Sequence, residues 1–440
     1  MLEGILQDFV KVTVCSNEPL FDTNFPFEEN KEKHREVASQ FGNLTPEERS
    51  STSFGEFLSR NGVEDPKAAH LIPAKNYSLV QSEARKRVED GVLLNAMPID
   101  TMDFERSLVE IAESIENTRL IREMYRLRKR TCGQGAKDGI SEDEAAKLRH
   151  CLIQGRELYS AGLSGSLLVK PLNFFYALTA YAYGVIVLNN PMRFHKGMLP
   201  GSHAMNYLPN DFHVQFGGDE PRGTFSDLFT AFPTQHIIGS DHEFIGDYTN
   251  SIVEFYEKKH TVSVGTLLSM MPEMAEFYRL STGRPSRAHP LEISQTSSRK
   301  GVKWNFKIGN GERKPDSASI HQAFDSYPVS ESYGRVNVEV SVEEVHTIKA
   351  TIYTDLRGNL WFIENPFGSI QLPEICLHFL TLFCYSNIMR YRPDEWGALV
   401  NNEASSDVSL LTRHYFSVLE KKFYALVLRS LSPYYPYAID

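Results

Sequence analysis

The sequence has few cysteines and lacks the motifs of common cofactor sites. Its 440 residues include five cysteines, an odd number, and no two of them form a CxxC pair. Scattered, unpaired cysteines are typical of reduced thiols in the cytosol. The chain also lacks the phosphate-loop pattern GxxxxGKS/T and the nucleophile pattern GxSxG. We therefore expect no cofactor, and the dispersed cysteines and histidines predict no metal site.

Long apolar runs are missing as well. No stretch reaches the roughly 18 to 20 apolar residues that a membrane-spanning helix needs. The first residues contain no basic region followed by an apolar segment, so the sequence predicts no signal peptide and no membrane contact. Together with the cysteine pattern, this favours a cytoplasmic location.

Acidic residues exceed basic ones. The 46 lysines and arginines face 56 aspartates and glutamates, so the formal net charge is −10. This balance argues against a basic coat over the whole surface, but it allows a local basic groove. With 41% apolar residues, the chain is long enough for a large core and two or three domains.

Composition divides the chain into four regions. Residues 1–75 are mixed and form a predicted N-terminal accessory region. Residues 76–190 show helical periodicity and form the first part of a helical core. Glycine, proline and alternating aromatic residues become frequent in 191–370, which we interpret as a mixed α/β insertion with antiparallel strands. Residues 371–440 return to helical patterns and form the second part of the helical core.

Two helices that are apolar nearly all round determine the predicted fold class. They cover Ser166–Tyr183 and Leu372–Ile388, and each must be buried against other elements. An amphipathic helix is predicted over Ser406–Leu431, while Gly301–Ile308 and Val336–Val342 alternate like strands. The prediction is a mainly α protein, a helical bundle with an inserted small antiparallel β-sheet of the α+β type.

Several segments resemble the sequence motifs of the YaaC-like bacterial proteins. In chain order they are Leu167-Leu-Val-Lys-Pro-Leu-Asn-Phe-Phe-Tyr, Phe194-His-Lys-Gly-Met, Gly223-Thr-Phe-Ser-Asp-Leu, Leu267-Leu-Ser-Met-Met-Pro-Glu-Met, and Met389-Arg-Tyr-Arg-Pro-Asp-Glu-Trp with Glu420-Lys-Lys-Phe. They follow the family's order over roughly residues 80–430. One departure concerns the end of the first apolar helix, where Tyr181 or Tyr183 replaces the family's usual lysine. The resemblance implies a shared fold and a bacterial setting, but no catalytic residue that could be transferred.

The loop after the first apolar helix and its flanks contain the candidate catalytic residues Arg193, His195 and His203. Histidines and cations on one loop can bind phosphate or transfer protons. The combination resembles the arginine and histidine of HEPN-type ribonucleases, although HEPN proteins space the two residues as R-x4-6-H within a helix. The alternative is a loop whose histidines hydrogen-bond to backbone groups. Arg284-Pro-Ser-Arg-Ala-His289 does fit R-x4-H, but its prolines oppose a helix.

A strand with alternating basic and aromatic residues is the candidate nucleic-acid surface. Its predicted contacts are Arg299, Lys300, Lys303 and Lys307. Alternation places Lys303 and Lys307 on one face of the strand, and Trp304 and Phe306 on the other. Basic residues beside aromatic ones suit single-stranded nucleic acid, but the same pattern is common in half-buried strands.

The C-terminal tail supplies a candidate protein-binding surface, formed by Tyr434, Tyr435 and Tyr437. We interpret the chain as a non-catalytic subunit or adaptor of a bacterial defence or genome-maintenance complex. Its expected ligands are a partner protein and, second, single-stranded nucleic acid. The bacterial setting follows from the family resemblance. The alternative is a divergent, metal-independent, HEPN-like ribonuclease that uses the loop arginine and histidines, so whether the chain is an enzyme stays open.

Overall fold

The structure is a computed structural model that describes most of the chain from residue 95 onward. The described residues are 40, 95–123, 140–189, 202–209, 212–218, 223–232, 234–238, 244–249, 252–298, 301–310, 313–431 and 434–439. The predicted accessory region, residues 1–75, lies outside them except for residue 40.

Helices and strands alternate through the described residues. The α-helices are α1 Phe104–Ser114, α2 Glu142–Ser164, α3 Lys170–Asn189, α4 Thr224–Thr230, α5 Ile252–Glu257, α6 Val264–Ser269, α7 Ala275–Thr282, α8 Ser317–Phe324, α9 Glu374–Tyr391, α10 Pro393–Val400 and α11 Ser406–Leu431. The strands are β1 Asn95–Asp100, β2 Met205–Leu208, β3 His213–Gly217, β4 Thr234–Ile238, β5 Phe244–Thr249, β6 Lys259–Ser263, β7 Ala288–Ser298, β8 Gly301–Ile308, β9 Val329–Ser332, β10 Arg335–Ser341, β11 Thr351–Thr354, β12 Leu360–Ile363 and β13 Tyr434–Ile439.

A capping box starts α2, as the Ser-Glu-Asp-Glu sequence predicts. The Ser141 hydroxyl accepts a hydrogen bond from the backbone N–H of Glu144, and the Glu144 carboxylate accepts one from the backbone N–H of Ser141. These bonds satisfy N–H groups that the start of a helix leaves without partners. Acidic residues in the first turn also interact favourably with the helix dipole.

Two glycines allow α2 and α3 to pack closely. A Cβ atom at Gly155 would lie 2.8 Å from the ring of Tyr181, and one at Gly162 would lie 2.6 Å from the ring of Phe174. The aromatic rings of α3 therefore occupy the space that a side chain at position 155 or 162 of α2 would need. Elsewhere on α3, Phe175 contacts a phenylalanine of α9 with ring centroids 5.3 Å apart. Residues of both helical regions thus share one hydrophobic core.

The predicted fold class is wrong, because β-structure extends well beyond one small inserted sheet. Six strands form an antiparallel sheet in the order β11-β12-β7-β8-β10-β9. Strands β2, β3 and β6 form a second sheet, β4 pairs with β5, and β1 pairs in parallel with β13. The chain is a mixed α/β protein and not a helical bundle.

The large sheet has a hydrophobic core of its own. One face buries Phe306, Val338 and Phe362 against Phe324 of α8. Clear alternation in β8 and β10 predicted these strands. By contrast, β2, β4, β5 and β6 have only four to six residues each. Such short segments do not carry enough alternation to be distinguished from loops, which is why the sheet content was underestimated.

A fully buried histidine of α9 makes the stability of the protein depend on pH. Burial lowers the pKa of His378 well below its ordinary value of 6.5, and the positive charge of Lys422 lowers it further. Between the folded and the unfolded pKa, the unfolded chain binds a proton at this residue and the folded chain does not. The folded state therefore loses stability as pH falls below about 6.5, by at most about 1.4 kcal/mol per pH unit for one histidine.

We expect the variant His378→Gln to lose this contribution. Its unfolding free energy should fall less steeply than that of the wild type as pH drops below about 6.5. Urea unfolding over a series of pH values measures the two slopes. His150→Gln, which changes an exposed histidine of α2, is the control. Equal slopes for His378→Gln and the wild type would contradict the assignment.

Candidate functional site

His203 is the one predicted catalytic residue that the structure describes, because Arg193 and His195 lie outside the described residues. Its imidazole packs against two aromatic rings, with centroids 5.0 Å from Phe175 of α3 and 6.1 Å from Phe383 of α9. Nδ1 is buried and forms no hydrogen bond with a described residue, while the residue as a whole is partly exposed. The ring therefore lies at the surface with one nitrogen facing inward.

The start of α4 holds the backbone of His203. The N–H of Phe225 donates to the carbonyl oxygen of His203 at 3.1 Å. The two segments come closest at Gly223, where a Cβ atom would lie 2.4 Å from the backbone nitrogen of Ala204. Glycine is the residue that allows this approach, so the Gly-Thr-Phe motif positions the histidine.

The positive charge of Arg390, an arginine of α9, acts on His203. Arg390 follows Phe383 by seven residues, about two helical turns, so both side chains lie along one side of α9. Its Nε donates to the carbonyl oxygen of Ser386 at 3.1 Å. Its guanidinium carbon lies 5.0 Å from the centroid of the Tyr391 ring.

Arg390 and Arg392 differ in their partners. Arg392 forms an ion pair with Glu395 at 2.6 Å. Within the described part of the chain, the contacts of Arg390 are with Ser386 and Tyr391, and neither is a carboxylate. A guanidinium near the surface without an anionic partner can bind an anion from solution, and its planar N–H groups suit carboxylate or phosphate oxygens.

The protonation of His203 follows from its surroundings. Burial lowers its pKa, and the positive charge of Arg390 lowers it further, so the imidazole is neutral at pH 7. Buried N–H groups without a partner are rarer in proteins than buried acceptors without one. Since Nδ1 has no partner among the described residues, we infer that the proton is on Nε2. His203 thus offers a hydrogen-bond donor beside a positive charge.

Tyr207 of β2 lies at the same end of α9. Its hydroxyl is buried and forms no hydrogen bond with a described residue. Burial raises its pKa to about 12, and the charges of Arg392 and Glu395 also act on it. The hydroxyl therefore stays protonated at neutral pH.

A second cluster of charged residues is buried between α9, α11 and the segment before α7. Lys422 is fully buried, and its Nζ contacts Glu273 Oε2 at 2.7 Å and Oε1 of Glu374. Glu273 also accepts a hydrogen bond from the backbone N–H of Leu356 at 3.1 Å. Burial alone would lower the pKa of Lys422, but the two carboxylates raise it above its ordinary value. The lysine therefore stays charged and ties three parts of the core together.

The segments that resemble the YaaC-like motifs contact one another through ion pairs and hydrogen bonds. Lys422 and Glu273 come from two of these segments. The indole N–H of Trp396 donates to the carbonyl oxygen of Leu168 at 3.0 Å, and Lys170 forms an ion pair with Glu420. The motifs therefore mark contacts between elements that are distant in the chain.

Comparison with known protein families identifies the chain. A model of the YaaC-like protein family matches residues 111–431, well over half of its length. The chain belongs to the YaaC-like family. This confirms the resemblance found in the sequence. No curated protein and no solved structure shows a significant match to it.

Arg390 is the residue of this YaaC-like site that sequence reasoning missed. It lies in the Met389–Trp396 motif, so the family resemblance pointed to this segment. The motif gave no indication of what the arginine does. Its position beside His203 depends on α9 and the segment before β2 lying together, which no local pattern shows. The site thus contains His203, which the sequence predicted, and Arg390, which it did not.

The predicted nucleic-acid strand is β8 of the large sheet. Arg299 and Lys300 lie outside the described residues. Lys303 and Lys307 are exposed on one face of the strand, and Phe306 is buried on the other. This agrees with the alternation, but it places the aromatic side chains away from the lysines.

Glutamates of neighbouring strands compensate positive charge on the lysine face. Lys303 pairs with Glu339 of β10 at 2.8 Å. On the same face, Arg335 pairs with Glu292 of β7 at 3.3 Å. Nucleic-acid binding by this face stays a prediction, with less net positive charge than the sequence suggested.

The R-x4-H segment is extended and not helical, because His289 lies in β7. Its Nε2 is 2.9 Å from Oε1 of Glu364. The nearby arginine is Arg287, whose Nη1 lies 3.9 Å from the same carboxylate. This cluster joins β7 to the segment after β12 and does not form the HEPN arrangement.

The aromatic tail packs on the body of the YaaC-like protein itself. Tyr434, Tyr435 and Tyr437 lie in β13, which pairs with β1. Arg429 of α11 donates to the carbonyl oxygen of Pro436, which holds the strand in place. Binding of a partner protein by the three tyrosines stays a prediction.

In the part of the chain that the structure describes, no group of three or more histidine, cysteine, aspartate or glutamate side chains is placed to hold a metal ion. None of the helices described there is both long and apolar enough to cross a membrane.

Proposed function

We propose that this YaaC-like protein is a non-catalytic subunit or adaptor of a bacterial defence or genome-maintenance assembly, and that it binds a phosphate-bearing ligand through Arg390 and His203. The assembly setting rests on the bacterial context that the family resemblance implies. The ligand class rests on the guanidinium of Arg390, which has no carboxylate partner among the described residues and whose positive charge acts on the neutral imidazole of His203.

The geometry favours binding over cleavage. Metal-independent cleavage of RNA needs a base that removes the proton of the 2′-hydroxyl and an acid that protonates the leaving 5′-oxygen. With its proton on Nε2, His203 presents a donor at the surface and cannot accept a proton there. A donor and a guanidinium are what a phosphate group needs for recognition. The described residues therefore form an anion-binding site.

Arg390→Gln tests this function. Loss of one charge-assisted contact should weaken binding of short labelled RNA and DNA oligonucleotides by about 10- to 100-fold, because hydrogen bonds to charged groups contribute about 1.5 to 3 kcal/mol. Fluorescence anisotropy at constant, low salt measures the dissociation constants. Arg392→Gln is the matched control, since that guanidinium is already paired with Glu395.

Two results would contradict the proposal. One is equal binding by the wild type and Arg390→Gln. The other is a large loss of oligonucleotide affinity in the double variant Lys303→Ala with Lys307→Ala, and no loss in Arg390→Gln. That result would place the nucleic-acid contact on β8.

A divergent metal-independent ribonuclease is the second candidate, because the positive charge of an arginine acts on His203. Cleavage would require the other tautomer, with the proton on Nδ1 and Nε2 free to act as a base. Incubation of RNA and of DNA with the protein in excess chelator distinguishes the two functions. RNA cleavage that is lost in His203→Gln would favour the ribonuclease, and intact RNA would favour the binding subunit.

A further inference from the structure

The ring of Tyr391 is the most exposed aromatic surface beside Arg390. Its side chain is 69% exposed. Arg390 lies over the ring, with its guanidinium carbon 5.0 Å from the ring centroid, a cation–π contact. A ring has two faces, and in the described part of the chain no second aromatic ring packs on Tyr391. One face of the ring is therefore available to a ligand.

A second exposed tyrosine follows, in the chain, the phenylalanine that contacts His203. Tyr176 of α3 is 38% exposed, and its ring centroid lies 5.5 Å from that of Phe175. Phe175 in turn contacts His203.

We infer that the ligand of this site is a single-stranded nucleic acid, with a phosphate held by Arg390 and His203 and an adjacent base stacked on Tyr391. This inference rests on the phosphate-binding function proposed above. Aromatic rings bind unpaired bases by stacking, whatever the base, because every base has a π-face. In a duplex the bases are stacked on each other, so their π-faces are closed to a tyrosine ring.

The charge of the chain also favours stacking over a purely electrostatic contact. The formal net charge is −10, so the rest of the surface repels a polyanion. Arg390 alone neutralises one phosphate, which predicts a shallow salt dependence, with a slope of log affinity against log salt of roughly −0.7 to −0.9. The remaining affinity must then come from contacts that salt does not screen, such as stacking on the tyrosines.

Tyr391→Ala and Tyr391→Phe test the inference on the full chain. Binding of single-stranded oligonucleotides should weaken about 5- to 100-fold in Tyr391→Ala, the range that one stacked base contributes, and should change little in Tyr391→Phe. Binding of inorganic tripolyphosphate and of a duplex of the same sequence should stay within about twofold of the wild type in both variants. Tyr333→Ala, which removes a ring that is 96% exposed in the turn between β9 and β10, is the matched control.

Each outcome separates the inference from the function on which it rests. If Arg390→Gln weakens all probes but Tyr391→Ala weakens none, the phosphate site stands and base stacking is wrong. If Tyr391→Ala weakens tripolyphosphate binding as much as single-strand binding, the ring only positions Arg390, and the inference is again wrong. If Arg390→Gln leaves every dissociation constant unchanged, the proposed function itself fails. Thermal unfolding of each variant shows that the exposed substitutions leave the fold intact.

Discussion

Replacing Lys422 by methionine is expected to lower the unfolding free energy by about 3 to 5 kcal/mol, because a buried ion pair that loses one partner leaves an uncompensated charge. The Nζ atom of Lys422 lies between the carboxylates of Glu273 and Glu374, and all three side chains are largely or fully buried. Without the ammonium, two carboxylates would face each other in the core. Burial already raises the pKa of Glu374, so at least one of them would have to take up a proton.

Urea unfolding of the wild type and of two lysine variants measures this effect. Lys421→Met is the matched control, because Lys421 is the adjacent residue of α11 and is exposed. A triple variant, Lys422→Met with Glu273→Gln and Glu374→Gln, removes the stranded charges and should recover much of the lost stability. If Lys422→Met were as stable as Lys421→Met, the cluster would not hold the core together.

Trp396→Ala should destabilise the protein by a similar amount, about 3 to 5 kcal/mol, since it removes a large buried side chain and leaves a cavity. The indole lies 6.0 Å from the ring of Tyr385 and 6.3 Å from that of Phe416, measured between centroids. Its N–H donates to the carbonyl oxygen of Leu168, at the turn between α2 and α3. One side chain therefore fixes α10 against α9, α11 and the turn between α2 and α3.

The phenylalanine variant separates packing from hydrogen bonding. Trp396→Phe keeps much of the buried surface and should cost about 1 to 2 kcal/mol for the lost N–H donor and the unpaired carbonyl oxygen of Leu168. The unfolding free energies of both variants, measured by urea titration, give the two contributions. A loss in Trp396→Phe as large as that in Trp396→Ala would show that the hydrogen bond, and not the packing, dominates.

The helices could be predicted well because their signals are local. The predicted helix Ser406–Leu431 has the same bounds as α11, since an amphipathic pattern sets its length and proline residues follow it. The two apolar helices were recognised because residues that are apolar on every side must be buried. Their observed bounds, Lys170–Asn189 and Glu374–Tyr391, differ from the prediction by a few residues at each end.

The sheets were underestimated because strand pairing is not a local property. β13 contains a proline and follows directly after a long helix, so the sequence predicts a protein-binding surface in the tail and no strand. Its partner β1 lies more than three hundred residues earlier in the chain. The short strands of the smaller sheets likewise become strands only because a partner supplies their hydrogen bonds.

The sequence by itself determined which helices are buried and where several of them begin, and it predicts His203 as a candidate site residue. It determined the family as well, through motifs that are short but ordered. Only the tertiary structure decided which residues meet. Lys422 and Glu273 are 149 residues apart in the chain yet form one ion pair, and the charge of Arg390 on α9 acts on His203 in the segment before β2. Periodicity and caps depend on neighbours within a few residues, whereas a site depends on contacts that exist only after distant segments have packed together.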